Sequence, residues 1–334
     1  MPIETTLEEL YSEVIGSDHE QVTVIVTPQI RFAYKKSDYL YLFYNQLFRS
    51  ENYSIESLSG WKYLKLILAA RSNSATILHH HWLECTGILN LPYFLYKLLC
   101  IMVFVWSGGN MVWTIHNKMP PDGKLFRFNY LARRWMARAS ELLHVQCKSV
   151  IPELSRFYGV SENKFRMIPH PVYPRSLYPR AAAVEAINLR YDANLKVQDK
   201  LFLMIGHLSP YKRMGTVCRI FEELPVQKKL IIAGPVKRGQ MKYFKRLRRL
   251  VRHSDNILLI PQFISEENVP EFLNACDYVV FNYRSISTSG GVFLAKSYNK
   301  RIILPDEPCA REFEDENMFF FRTKKELKEL LEKS

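Results

Sequence analysis

The chain has 334 residues, with 46 Lys plus Arg against 33 Asp plus Glu, a formal charge of +13, and an apolar share of 48%. That length makes one long domain or two ordinary ones, and the apolar share excludes a disordered chain. Glycine, at 13 residues, is about half its usual share of roughly 7%, and neither GxGxxG nor GxxxxGK[ST] occurs, which argues against Rossmann dehydrogenases and P-loop NTPases.

Residues 1–20 read as a polar N-terminal segment without the apolar core of a signal peptide, so the expectation is a protein that stays inside. The six cysteines are scattered with no CxxC pair; neither a zinc knuckle nor a disulfide framework is signalled, and a reducing cytoplasm is the natural setting. Short β-rich runs then alternate with helical stretches: VTVIV at 22–26, ATILHH at 75–80, MVWTI at 111–115, ELLHV at 141–145 and FRMI at 165–168. This is the rhythm of a parallel sheet covered by helices on both faces.

One apolar stretch, Ile88 to Trp106, approaches the ~20 residues of a membrane-spanning helix, but Asn90, Pro92 and Lys97 interrupt it. A Ser-Gly-Gly-Asn turn and the next strand follow directly, so the expectation is a buried or half-buried helix first, interfacial contact second and a span a distant third. After FRMI come Pro169, Pro171, Pro174, Pro179 and an alanine-rich segment, and the rhythm restarts with KLFLMI (200–205), KKLIIA (228–233), NILLI (256–260), DYVVFN (277–282) and RIIL (301–304). The expected architecture is α/β, with two Rossmann-like domains at 21–180 and 181–334 facing a common cleft, where ligands bind beyond the carboxyl ends of the strands. The run Lys237–Arg252 holds eight basic residues and no acidic one. It implies a phosphate-bearing partner or an anionic membrane surface, with a solvated helix face equally compatible. No nucleic-acid module accompanies it, so nucleic acid is not the expected partner.

The strand ends carry the candidate chemistry. After KLFLMI comes GHLSPYKRM, where Gly206 allows close backbone approach and Lys212 and Arg213 flank a helix entry, a pattern suited to a diphosphate. After DYVVFN come Arg284, then Ser285, Ser287, Thr288 and Ser289, with Gly290 and Gly291 opening a helix that offers hydroxyl and amide donors to an anion. In the first half, His79, His80, His81 and Trp82 end one strand, and His116 and Asn117 the next. Histidines there can donate to sugar hydroxyls or phosphate, or serve as acid or base. Consecutive strand residues point to alternate faces, so the three adjacent histidines do not converge on one metal ion, and at least one belongs in the core. No Asp-x-Asp pair occurs, which favours phosphate binding without a metal.

The ordered array VWTIHN, RMIPHPVY, IGHLSPYKRM, LIIAG and SEENVPEFLNACDYVVFNYRSISTSGGVFLAKSYNKRII resembles the GT-B glycosyltransferases, in particular those of family 4 and the bacterial exopolysaccharide and capsule sugar transferases. The likeness runs over roughly residues 22–322, with TPQIRFAYKKSDYLYLFYNQLFRS similar to the family's first strand, loop and helix. It implies transfer of a sugar from a nucleotide-sugar to an acceptor hydroxyl, with retention and with no metal or other cofactor. By position it assigns Lys212 and Arg213 to the donor diphosphate, Ser289 and Gly290 to the distal phosphate, and His116 to the donor sugar. Gly206, Arg284, Ser287 and Thr288 complete the expected donor site, and His81, Trp82 and Asn117 the acceptor side. The expected acceptor is a lipid-linked or polysaccharide glycan, which places the protein in the cytoplasm and peripherally on the inner face of the plasma membrane. One departure stands out: the family's two glutamates, seven residues apart, are absent, their places falling near Ile286 or Ser287 and on Leu294. A subgroup reading Tyr-Arg, then Thr-Ser-Gly, lacks them too. A second reading is therefore a catalytically silent protein of the same fold that binds a nucleotide-sugar or glycan and supports a partner enzyme.

Overall fold

A computed structural model describes residues 3–16, 19, 21–69, 75–120, 125–284 and 289–334. The chain divides into two compact units, Met1–Pro171 and Val172–Ser334. The first runs β1 (Ile3–Glu4), α1 (Leu7–Ile15), β2 (Val22–Thr27), α2 (Tyr39–Tyr44), β3 (Tyr53–Ser57), α3 (Lys65–Ala69), β4 (Ala75–His80), α4 (Leu91–Trp106), β5 (Asn110–Thr114), α5 (Phe126–Ala139), β6 (Leu142–Val145), α6 (Ile151–Tyr158) and β7 (Phe165–Met167). Its seven strands form one parallel sheet in the order β1-β7-β6-β5-β4-β2-β3. The strands are rich in Val, Ile and Leu because both faces are covered. On β4 and β5, Ile77 and Val112 join one buried cluster while Leu78 and Trp113 join the other.

The second unit runs α7 (Arg180–Tyr191), β8 (Lys200–Ile205), α8 (Met214–Phe221), β9 (Lys228–Ala233), α9 (Met241–Val251), β10 (Ile257–Ile260), α10 (Val269–Ala275), β11 (Tyr278–Val280), α11 (Gly290–Ser297), β12 (Arg301–Pro305), α12 (Pro308–Arg311), β13 (Met318–Phe321) and α13 (Lys324–Lys333). Its six parallel strands are ordered β10-β9-β8-β11-β12-β13. The chain winds outward from β8 to β10, then returns to the other side of β8 at β11. The carboxyl ends of β8 and β11 thus flank the switch point where such sheets bind ligands.

Two expectations change. The N-terminal segment is not set apart: β1 pairs with β7, and α1, capped by Thr6 and Glu9, buries Leu7, Leu10 and Tyr11. The division falls at Pro171 rather than at residue 180. Residues past it are tied to the second unit, where Tyr173 N donates to Ser297 Oγ (3.1 Å), Ser176 N to Tyr298 OH (3.0 Å), and Arg180 forms a two-pronged ion pair with Asp277 (2.7 and 3.0 Å). α4 is half-buried, as expected: Phe94, Cys100, Ile101 and Phe104 are buried, whereas Pro92, Leu95, Leu99 and Trp106 are exposed.

Candidate functional site

In the second unit, β8 ends at Gly206, whose φ of +102° suits glycine and whose missing side chain leaves room for Lys212: a Cβ there would lie 2.7 Å from Lys212 Nζ. Gly234, after β9, packs as closely, since a Cβ on it would lie 2.4 Å from Gly206 O. A short 3-10 turn, Pro210–Lys212, brings the lysine back over the strand end, where Nζ donates to Ile205 O (3.1 Å) and lies 5.4 Å from the Tyr283 ring centroid. Lys212 is 5% exposed and has no carboxylate partner among the described residues. Burial lowers its pKa to about 8. A buried cation held by one carbonyl and an aromatic face is under-compensated, and an incoming anion completes it.

Arg213 adopts a left-handed conformation (φ 46°) as it caps α8 and turns outward into solvent. The loop after β11 is bound to the one after β8: Arg284 N donates to Tyr211 O (2.9 Å), Asn282 Nδ2 donates to Arg213 O (3.2 Å), and the Tyr211 and Tyr283 rings meet at 5.3 Å. The segments that carry Lys212, Arg213 and Arg284 therefore meet at the switch point. Ser289 caps α11 and contacts the Tyr283 side chain, which draws Ser289 and Gly290 into the same locality. At Gly291 a Cβ would lie 3.0 Å from the Phe281 ring, so the helix start must stay small. Ser285, Ser287 and Thr288 lie outside the described residues. Leu294, at one of the two missing glutamate places, packs against the core.

In the first unit the histidines form a single hydrogen-bonded chain. His144 Nε2 faces Ile168 O (3.0 Å), so that nitrogen carries the proton and Nδ1 accepts from Thr114 Oγ1 (2.8 Å). Thr114 then accepts from His79 Nε2 (2.8 Å), and His79 Nδ1 accepts from Tyr11 OH (2.7 Å). Tyr11 accepts from Tyr44, Tyr44 from His81 Nε2 (2.8 Å), and His81 Nδ1 from His116 Nε2 (3.1 Å). Every donor points the same way, from His116 to Ile168, so His116 Nε2 carries the proton given to His81. Burial holds His79, His81 and His116 well below the usual histidine range, and His144 down to about 4. His80 points to the opposite face, bonds Thr27 Oγ1 (2.5 Å) and is lowered to about 3 by burial, Lys97 and Arg133.

All three adjacent histidines are thus in the core, where at least one was expected. His81, assigned to the acceptor side, is 1% exposed with both ring nitrogens engaged, so it supports His116 and does not reach an acceptor. The side chains that do frame His116 are Trp82, stacked on it at 4.3 Å, and Tyr39, whose ring is 5.1 Å from both His116 and His170. Asn117 is half-buried beside them, its carbonyl accepting from Arg133 Nη1 (2.7 Å). Sequence reasoning missed Tyr39, His144, His170, Gly234 and Ser209. Among the described residues, the buried hydroxyl of Ser209 has no hydrogen-bond partner. His170 and Gly234 did stand in the quoted motifs RMIPHPVY and LIIAG, whereas Tyr39 carried no signal of its own.

The family described as glycosyl transferases group 1 matches residues 187–333, the stretch that carries Lys212, Arg213, Arg284 and Ser289. Those residues are similar to a group 1 glycosyltransferase domain. No curated protein matches the chain. Among solved structures it is similar to HepE from Anabaena in complex with UDP, at 12% identity and a TM-score of 0.64 over 93% of this chain and 88% of that one. It is also similar to a glycosyltransferase from Rickettsia africae (14% identity, TM-score 0.63, 93% and 87% covered). A third is the α,α-trehalose 6-phosphate synthase of Burkholderia multivorans (13%, 0.64, 94% and 90%). The chain has the GT-B fold of two Rossmann-like units, and the residues matched by the group 1 family lie within the unit that carries Lys212, Arg213 and Arg284.

Proposed function

We propose that the chain transfers a sugar from a nucleotide-sugar to an acceptor hydroxyl of a lipid-linked or polysaccharide glycan, without a bound metal and with retention. The observation that carries this reading is Lys212, a buried cation with no carboxylate partner among the described residues, in the loop that bears Arg213 and is bonded to the loop bearing Arg284. In the reaction the departing diphosphate gains charge, and preorganised cations stabilise that charge at little reorganisation cost. Lys212 and Arg213 take this role, the start of α11 at Ser289 and Gly290 adds amide donors, and Arg284 contacts the nucleotide or its phosphates. His116, its Nε2 proton donated to His81 and its ring stacked on Trp82, is held in place to orient the donor sugar. A cytoplasmic, peripheral placement at the plasma membrane suits a lipid-linked acceptor.

HepE has been solved with UDP and with UDP-glucose, which makes UDP-sugars the first donors to test. The experiment combines a thermal-shift screen of UDP-, GDP- and ADP-sugars with an assay of nucleotide diphosphate release. The reading expects one donor both to stabilise the protein and to turn over. Tight binding without turnover would instead select the silent protein to which Leu294 points. Activity should survive a chelator; a complete loss restored by Mn²⁺ would overturn the metal-free claim.

A further inference from the structure

The stretch Ile88–Trp106, α4 together with the turn before it, is long and apolar enough to cross a membrane, yet it lies on the surface of the first unit. Its inward face, Phe94, Ile101 and Phe104, fills the core. Its outward face is also apolar: Leu95, Leu99 (57% exposed) and Trp106 (67%) follow one another at helical spacing, after Ile88 and Leu89 (97%) in the preceding turn. A soluble surface helix would carry polar residues there.

The patch extends beyond α4. Trp61 (73% exposed) packs on Tyr96 at 4.9 Å, and the Tyr96 hydroxyl donates to Trp61 O (2.6 Å), which fastens the segment bearing Leu64 and Leu68 to the helix. Charge decides what covers it. Lys62 and Lys65 stand exposed beside these side chains and form no ion pair among the described residues. Between Ser57 and Trp106 the single acidic residue is Glu84, which faces Arg133 at 3.9 Å. Two copies face to face would set lysine against lysine. An anionic leaflet would instead receive the apolar side chains, the tryptophans and the lysines at the depths each prefers.

We propose that α3, α4 and the turn bearing Trp61 form the surface by which the protein docks on an anionic bilayer, with Leu95, Leu99, Trp61 and Trp106 entering its interface. The proposal deepens the peripheral placement above and does not depend on catalysis.

The test is cosedimentation of the full chain with phosphatidylcholine vesicles, with and without phosphatidylserine. Wild type should pellet with the anionic vesicles, and brominated lipid should quench its tryptophan fluorescence. L95E/L99E should weaken partitioning by about tenfold or more while its nucleotide-induced thermal shift stays at the wild-type value. If L95E/L99E melts early, W61S/W106S replaces it with the same expectation. The proposal is overturned if wild type stays in solution, if the folded patch variants bind as wild type does, or if wild type without lipid is a dimer that these variants dissociate. Docking without sugar transfer would leave this surface standing and remove only the catalytic reading.

Discussion

Lys212, in the role proposed for it, would serve function at a cost in stability. Burial has drawn its pKa from 10.5 to about 8, so the protonated form is the costly one in the empty protein. The unfolded chain keeps that proton up to about pH 10.4, so this group's penalty is fully present below pH 8 and is relieved as pH rises through 8. Lys212→Met should raise the stability of the ligand-free protein by about 1–2 kcal/mol in urea unfolding. It should also abolish most turnover and the thermal shift given by the donor. A destabilised K212M that still turns over would refute the assignment. A diphosphate beside the ammonium favours its charged form, so nucleotide affinity should decline as pH rises through about 8, with proton uptake measurable by calorimetry in buffers of different ionisation heat. Gly206→Ala would direct a methyl at Nζ in a left-handed backbone, and a loss of about 1–3 kcal/mol together with weakened donor binding is expected. The lysine's role was legible because a strand, a glycine and two cations stand in one short segment. Its burial was not, since that depends on Tyr283, from a strand end 71 positions along the chain.

At the scale of elements, β4, β5 and β6 are joined through side chains as well as through the backbone ladder. Alternation along a strand already separated His80 from His79 and His81, as the structure bears out. The partners Tyr11, Tyr44, Thr114 and His144 come from four other elements, and only the assembled sheet reveals them. Thr114→Val keeps the shape and removes the hydroxyl between His79 and His144, leaving two buried ring nitrogens unsatisfied; a cost of about 2–4 kcal/mol is expected. A change under about 0.5 kcal/mol would show the link to be dispensable. These histidines are neutral when folded and their pKa values are lowered, so the stability they confer is complete above the unfolded value near 6.5 and is lost as pH falls toward 4. His80, His144 and His170, at about 3, 4 and 4, set the lower end of that window. Each histidine contributes up to about 1.4 kcal/mol per pH unit within it. Melting temperature should therefore be nearly flat from pH 7 to 8 and fall steeply below 6.5; equal melting at pH 5 and pH 7 would contradict the buried neutral chain.

For the whole molecule, the restart of the strand rhythm after the prolines located two α/β units because fully buried strands must be apolar. Strand β3, at an edge of its sheet, alternates half-buried Tyr53 and Ile55 with exposed Ser54 and Glu56, so it reads as a polar loop. The half-buried place of α4 was among the expectations, but which of its side chains face outward was not, since a core helix and an interfacial helix share one composition. The net charge of +13 is likewise uneven in the structure. On α9, Leu247 and Val251 are buried while Lys242, Lys245, Arg246, Arg248 and Arg249 are exposed and form no ion pair among the described residues. Several of these cations sit three or four residues apart and repel one another, so neutralising them removes repulsion without breaking a bond. K245Q/R246Q/R249Q should leave the melting temperature unchanged or slightly higher. Its attraction to phosphatidylserine vesicles should be weaker than that of wild type at low salt, and the difference should fade at high salt, where the field beyond about 8 Å is screened. The contribution of the α4 patch, which is apolar, should persist at high salt. Equal salt sensitivity of wild type and the α9 variant would show that the basic helix plays no part in bringing the protein to the leaflet.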